Sequence, residues 1–262
     1  MAAEATWVSS YHWSVDNPAF GGLSGIEVSD DGSMFIAVSD RSSFVTGSLV
    51  RKEGIIVSIE DYAITPIRGT GDQQDSEGIA ITSDGTVFVS YEGVHGIRHF
   101  DSLNGTSAPI PAAAAFANMQ NNSSLEALAI GPDNSIYTIP ERSGRSDRAF
   151  PVYRLNAGIW DQPFDIARRG AFLVVGADIG PDGRFYILER DFTGIGFRSR
   201  VRRFGMNGGA EETLLETRSL THDNLEGISI WDDGSALKIT MISDDNFRIF
   251  QRTEIVEYRI DY

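Results

Sequence analysis

The 262-residue chain contains no cysteine, which excludes disulfides, Cys-ligated zinc and thiol nucleophiles together. It is also short of basic residues, with 22 Lys and Arg against 37 Asp and Glu and a formal charge of −15. A polyphosphate backbone is bound by clustered cations that displace its counterions, so a nucleic-acid partner is not expected. No stretch reaches the roughly 18 apolar residues that cross a bilayer, so no membrane span is expected either. The Gly-x-Ser-x-Gly elbow, the Walker loop and the His-Glu-x-x-His helix are all missing. The start, Met1-Ala2-Ala3-Glu4, has no basic or apolar signal region, although Ala2-Ala3-Glu4 resembles the pattern left by signal-peptide cleavage. An acidic surface suits divalent cations, and 41% hydrophobic residues suffice for one large core in a single domain spanning 1–262.

What is present is a repeat. Five segments share an apolar stretch, a turn built on Asp-Gly or its equivalent, a second apolar stretch and then an acid. They start at residues 24, 77, 126, 175 and 226, at intervals of 53, 49, 49 and 51. The turn pairs Asp31-Gly32, Asp84-Gly85, Asp133-Asn134, Asp182-Gly183 and Asp233-Gly234 tolerate the positive φ angles of tight hairpins. A third strand follows in each unit: Ser48 to Arg51, Ile97 to Phe100, Val152 to Leu155, Val201 to Phe204, and Ile255 to Ile260. A fourth precedes the next unit, as in Tyr62 to Thr65 and Thr213 to Leu215. Four short antiparallel strands per roughly 50 residues predict an all-β propeller of five blades, six with one degenerate unit being the alternative. The leftover segment Thr6 to Tyr11 is expected to supply the outer edge of the last blade, beside the C-terminal strand. Pro111 to Phe116 reads as a short helix on a loop.

In a hairpin, residues equidistant from the turn are neighbours. Glu77 and Glu92 are equidistant from Asp84-Gly85, Glu126 and Glu141 from Asp133-Asn134, and Glu226 and Asp244 centre beside Gly234. The acids should therefore gather at the mouth opposite the Asp-Gly turns. Glu77, Glu126 and Glu226 should point to the axis, with Asp40, Glu92, Glu141, Glu189 and Asp244 as a second tier. Converging carboxylates repel, and they call for a cation, for arginines or for shifted pKa values. Calcium, a hard ion with 6 to 8 oxygen ligands, fits such a ring, and Asn224 and Asn246 could complete its shell. The loops leaving this mouth carry Arg41, Arg142, Arg145, Arg148, Arg190, Arg198, Arg200, Arg248 and Arg252. Guanidinium matches both oxygens of a phosphate or carboxylate, so Arg41, Arg142, Arg190 and Arg198, with Asn246, are candidate substrate contacts. Glu92, Glu141 and His95 are candidate proton-transfer groups. His222 could also reach the mouth, whereas His12 and His99 read as structural.

Three strings carry a family resemblance. Asp75-Ser76-Glu77-Gly78-Ile79-Ala80 is the first. Leu188-Glu189-Arg190-Asp191-Phe192, followed by Gly194 and the arginine-rich stretch Arg198 to Arg203, is the second. Ile242-Ser243-Asp244-Asp245-Asn246-Phe247, followed by Gln251 and Thr253, is the third. From about Gly21 to Tyr258 the chain resembles the phytase-like β-propeller family, described as "esterase-like activity of phytase". The resemblance implies a bacterial protein that is periplasmic or secreted, and a calcium-dependent hydrolase of a phosphate ester or related small anionic ester. By motif it puts metal ligation on Glu77, Glu126, Glu189, Glu226, Asp244 and Asp245. Ser24 and Val175 stand where a full ring would have acids. A shorter similarity to gluconolactonase and paraoxonase propellers makes a lactonase one alternative. A non-catalytic ligand- or partner-binding propeller with a structural metal is the other, and on any of these readings the protein is expected to be a monomer.

Overall fold

A computed structural model describes residues 3–71, 75–119, 125–145 and 147–262. The chain starts with strand β1 (Thr6–His12) and then lays down blade 1 as β2 (Leu23–Val28), β3 (Met34–Ser39), β4 (Ser43–Lys52) and β5 (Ile55–Pro66). Blade 2 is β6 (Ser76–Ile81), β7 (Val87–Tyr91), β8 (Gly96–Phe100) and β9 (Ala108–Pro109), and blade 3 is β10 (Leu125–Ile130), β11 (Ile136–Pro140), β12 (Phe150–Asn156) and β13 (Ile159–Ile166). Blade 4 is β14 (Leu173–Ile179), β15 (Phe185–Phe192), β16 (Phe197–Phe204) and β17 (Glu212–Glu216). Blade 5 takes β18 (Leu225–Asp232), β19 (Ala236–Ser243) and β20 (Glu254–Asp261) from the C-terminal end and β1 from the other, paired antiparallel in the order β1-β20-β19-β18. The protein is thus a five-bladed propeller of four-stranded antiparallel sheets. No helix among the described residues is long and apolar enough to cross a membrane. The short helix is a single 3₁₀ stretch, Ala114–Asn118.

The repeating hairpin has a local cause. The second residue of each turn pair is left-handed, from Asn134 at φ 60° to Gly85 at φ 87°. The Asp before it accepts a hydrogen bond from the backbone N–H two residues on, as Asp31 does from Ser33 (3.0 Å) and Asp133 from Ser135 (3.1 Å). Blade 1 is larger than its pattern suggests, because Glu53 and Gly54, both at positive φ, turn β4 into β5 and extend that hairpin well beyond Ser48 and Tyr62.

The core differs from expectation. Instead of one interior, five apolar clusters lie between successive blades, because each twisted sheet buries both of its faces against its neighbours. Trp13, Phe35 and Trp231 belong to the wedge between blades 5 and 1, and Phe44, Tyr91 and Phe100 to the next. The 5–1 seam is also clamped by Arg51, which donates to both oxygens of the fully buried Glu257 at 2.6 and 2.7 Å.

The innermost strands approach closely around the axis. A Cβ on Gly176 would lie 2.5 Å from the Glu226 carbonyl, and one on Gly227 would lie 2.8 Å from the Ile26 nitrogen. Gly227→Ala is expected to force blades 5 and 1 apart and to destabilise the protein by about 1–3 kcal/mol, the usual range for overpacking. An unchanged urea midpoint would contradict this packing.

Candidate functional site

Every innermost strand carries a β-bulge at the same place. The register slips between Leu23 and Gly25, Ser76 and Ile79, Leu125 and Ala127, Val174 and Gly176, and Leu225 and Gly227. The extra residue is Ser24, Glu77, Glu126, Val175 or Glu226, and a bulge re-aims such a side chain out of the pleat. Ser24, Glu77, Glu126 and Glu226 line a well of about 290 Å³ at the mouth. Below it, Ser24, Glu126, Val175 and Glu226 close the channel to about 10 Å³. That is room for no more than one water, so the well has a floor.

Eight carboxylates line this well: Glu77, Glu126 and Glu226 from the bulges, Asp40, Glu92, Glu141 and Asp244 from the ends of the second strands, and Asp75. Arg142 and Arg190 line it with them. Burial, then the charges of its neighbours, pushes Glu77 and Glu126 well above the usual carboxylate range. Burial also raises Glu226, offset in part by Arg190. Asp244 is pushed up to about 8 by burial and then by Glu226, and Asp40 to about 6 by burial and then by Asp75. Asp75, Glu77 and Glu92 each bring a carboxylate oxygen within 4.8 Å of the others. This all-oxygen donor set fits a hard divalent cation such as calcium, and further oxygens from the well are at hand to fill its larger shell.

Blade 4 breaks the pattern in a way that corrects the second tier. Leu173 pairs with Arg190 and Val174 with Glu189. In the other blades the well acids occupy the Arg190 position, as in Asp40 N–H to Gly22 O and Asp244 N–H to Asn224 O. Arg190, not Glu189, is the register equivalent, and a one-residue shift along a strand reverses the face. Arg190 donates to Asn224 Oδ1 at 2.7 Å, to Glu141 Oε1 at 3.2 Å and to Glu226. Glu189 is buried inside blade 4, with Arg200 Nε at 2.7 Å and Arg202 Nε and Nη2 at 2.8 and 2.6 Å, so both its oxygens are taken by guanidinium groups.

Other expected site residues also lie elsewhere. Asp245 accepts from Gly22 N–H, Phe247 N–H and Thr253 Oγ1, each at 3.0 Å, and so staples the β19–β20 loop to blade 1. The Arg41 guanidinium lies 3.2 Å from the Phe247 ring centroid. Arg198 pairs with Asp191 at 2.8 Å and with Glu216 at 3.5 Å. His95 sits in the β7–β8 turn away from the well lining, with no hydrogen-bond partner for its Nδ1 among the described residues. His222 is buried against Tyr258, 2.9 Å from its hydroxyl. Asn246 does line the well. Asp75 joins the well although its distance from the turn does not pair it with another acid; the parallel of Asp75-x-Glu77 with Asn224-x-Glu226 in blade 5 is the signal for it in the sequence.

A second cavity of about 390 Å³ opens beside the well and shares Glu141, Arg142, Arg190 and Asn246 with it. Its remaining lining includes Leu173, Phe192, Phe197 and Arg248.

The profile of the phytase-like family, described as "Esterase-like activity of phytase", matches residues 18–247. No curated protein matches the sequence. Among solved structures, a gluconolactonase from Xanthomonas campestris is similar with a TM-score of 0.53 and 10% identity over 90% of this chain and 72% of that one. The catalytic domain of a GH62 α-L-arabinofuranosidase from Coprinopsis cinerea gives 0.57 and 10% over 98% and 97%. The calcium-binding protein regucalcin from Agrobacterium tumefaciens gives 0.51 and 9% over 93% and 92%. At such identities these likenesses speak for the fold alone. The family match covers most of the chain, and the chain belongs to the phytase-like family.

Proposed function

We propose that this member of the phytase-like family is a divalent-cation-dependent hydrolase of a small anionic ester, with calcium the best-fitting ion. The observation that carries the reading is a floored well in which eight carboxylates face two arginines and three of the acids bring oxygens within 4.8 Å. So many buried carboxylates must either hold protons or meet a cation. Asp75, Glu77 and Glu92 would hold the ion. When bound, it supplies Lewis acidity toward an ester oxygen.

The chain's own residues supply the rest. Arg248, which lines the adjoining cavity and forms no ion pair among the described residues, is placed to receive the anionic group by paired hydrogen bonds, and Arg142, half-exposed at the rim and paired with Glu141, lines the same cavity. Arg190 is held by Glu141, Glu226 and Asn224, so its guanidinium presents a fixed charge rather than a mobile one. Asp244, pushed up to about 8, carries a proton at neutral pH and can give it to a leaving oxygen. Glu141, facing Arg142 and Arg190 on the same wall, is the acceptor for the proton of the attacking water.

The test is turnover of nitrophenyl phosphate, nitrophenyl esters and simple lactones with calcium, magnesium or manganese. Glu77→Gln is expected to lower the cation-dependent rate by about 100-fold or more, with the circular dichroism of the fold intact. A rate indifferent both to chelator and to Glu77→Gln would overturn the reading.

A further inference from the structure

We infer that the cavity beside the well is a subsite for an apolar group, so that the ligand is an amphipathic monoanion and not a polyanion. The inference deepens the hydrolase reading and rests on it only for turnover; binding stands apart.

Two independent observations point to this ligand. The first is where apolar surface is left bare. Among the described residues, seven large hydrophobic side chains are at least 60% exposed, and five of them, Phe192, Ile195, Leu220, Ile249 and Phe250, lie on mouth-side segments of blades 4 and 5. Scattered exposed apolar residues are ordinary, but a concentration around one cavity marks a binding surface. Inside the cavity the Phe192 and Phe197 rings pack with centroids 5.1 Å apart, and the Arg190 guanidinium lies 5.7 Å from the Phe197 centroid. An aromatic wall thus begins where the arginine pair of the well ends.

The second is the charge balance. A polyanion needs several unneutralised cations, yet Arg190 is engaged by Glu141 and Glu226, and Arg142 by Glu141. No lysine lines either cavity among the described residues. Arg248 is the arginine of the subsite that forms no ion pair among the described residues. One guanidinium beside a well of eight carboxylates accommodates one anionic group, and each further anion would face those acids. The remainder of the ligand gains by covering Phe192 and Phe197.

The experiment is calorimetric titration, in millimolar calcium, of methylphosphonate, hexylphosphonate, phenylphosphonate and tripolyphosphate. Hexyl- and phenylphosphonate are expected to bind at least about tenfold more tightly than methylphosphonate, since a few buried methylenes suffice for that factor. Tripolyphosphate should bind no better than methylphosphonate. Phe192→Ala, at an exposed position that leaves the fold intact, should erase the preference without weakening methylphosphonate. Ile249→Ser/Phe250→Ser serves as a second variant at the rim. Equal affinity for methyl- and hexylphosphonate, tightest binding of tripolyphosphate, or no binding of any of the four would overturn the inference. Binding with the expected preference but no hydrolysis of phenyl phosphate would remove the hydrolase reading and leave the subsite standing. Hydrolysis without preference would do the reverse.

Discussion

Arg202→Ala is expected to destabilise the protein by about 3–5 kcal/mol, the range for removing one partner of a buried ion pair. The Arg202 side chain has no exposed surface. It donates to both oxygens of Glu189, at 2.8 and 2.6 Å, and its Nη1 reaches Glu211 at 2.8 Å and the Ala167 carbonyl at 3.1 Å. Its loss would leave the buried Glu189 with Arg200 as its remaining charged partner at 2.7 Å. A large part of the effect should come from that stranded charge. The double variant Glu189→Leu/Arg202→Met is accordingly expected to recover part of the loss, because well-packed apolar replacements of buried pairs are often neutral, while Arg200 is left with Glu216 at 3.6 Å. Urea unfolding reads both. The same variants test the correction to Glu189, since calcium-induced stabilisation should survive in Glu189→Leu/Arg202→Met. Its disappearance there would return Glu189 to the metal ligands.

The second large effect concerns pH. Asp40 and Asp244 bind protons more tightly in the folded chain than in the unfolded one, with pKa values moved from 3.8 to about 6 and about 8. Their protonated forms therefore favour the fold, and that contribution is complete below the unfolded value and lost as pH rises through 6 to 8. Glu77, Glu126 and Glu226 shift in the same direction. Cation-free protein should melt at a lower temperature at pH 8 than at pH 5. A cation held by Asp75, Glu77 and Glu92 displaces protons from Asp75 and Glu77, so calcium should raise the melting temperature more at pH 8 than at pH 5, by the equivalent of about 2.7 kcal/mol at 100 times its dissociation constant. Titrations in buffers of different ionisation enthalpy should show net proton release. A melting temperature independent of pH, or a calcium effect that is larger at pH 5, would refute this account of the well.

Much of this architecture is legible in the residues because the Asp-Gly turn has one local cause and recurs at a near-constant interval. The acids equidistant from those turns do meet, as Glu77 and Glu92 show. Simple counting fails at the bulges, which insert one residue into the innermost strand of each blade and leave no compositional mark. Blade 4 suffered most, since Glu189 and Arg190 are adjacent and each could be the tier residue until Leu173 is paired with Arg190. The arginines show a second kind of limit. Arg41 lies on the expected loop, but its partner Phe247 comes from the β19–β20 loop of blade 5, and only the assembled ring brings them together, whereas Arg198 lies within β16 and is taken up by Asp191 and Glu216 on the two strands beside it. Asp245 is a third case, because its neighbour Asp244 faces the well while it ties down a loop.

The pairing of β1 with β20 also has a consequence for synthesis. Thr6 meets Arg259 and His12 meets Glu254, so the strand of the propeller that is made first finds its partner in the strand that is made last. At 5–20 residues per second, translation from one of these strands to the other occupies about 10–50 s. Throughout that interval the early blades can form by local pairing, while one strand waits with an open edge and the ring stays unsealed. The propeller is therefore most exposed just before its ring closes.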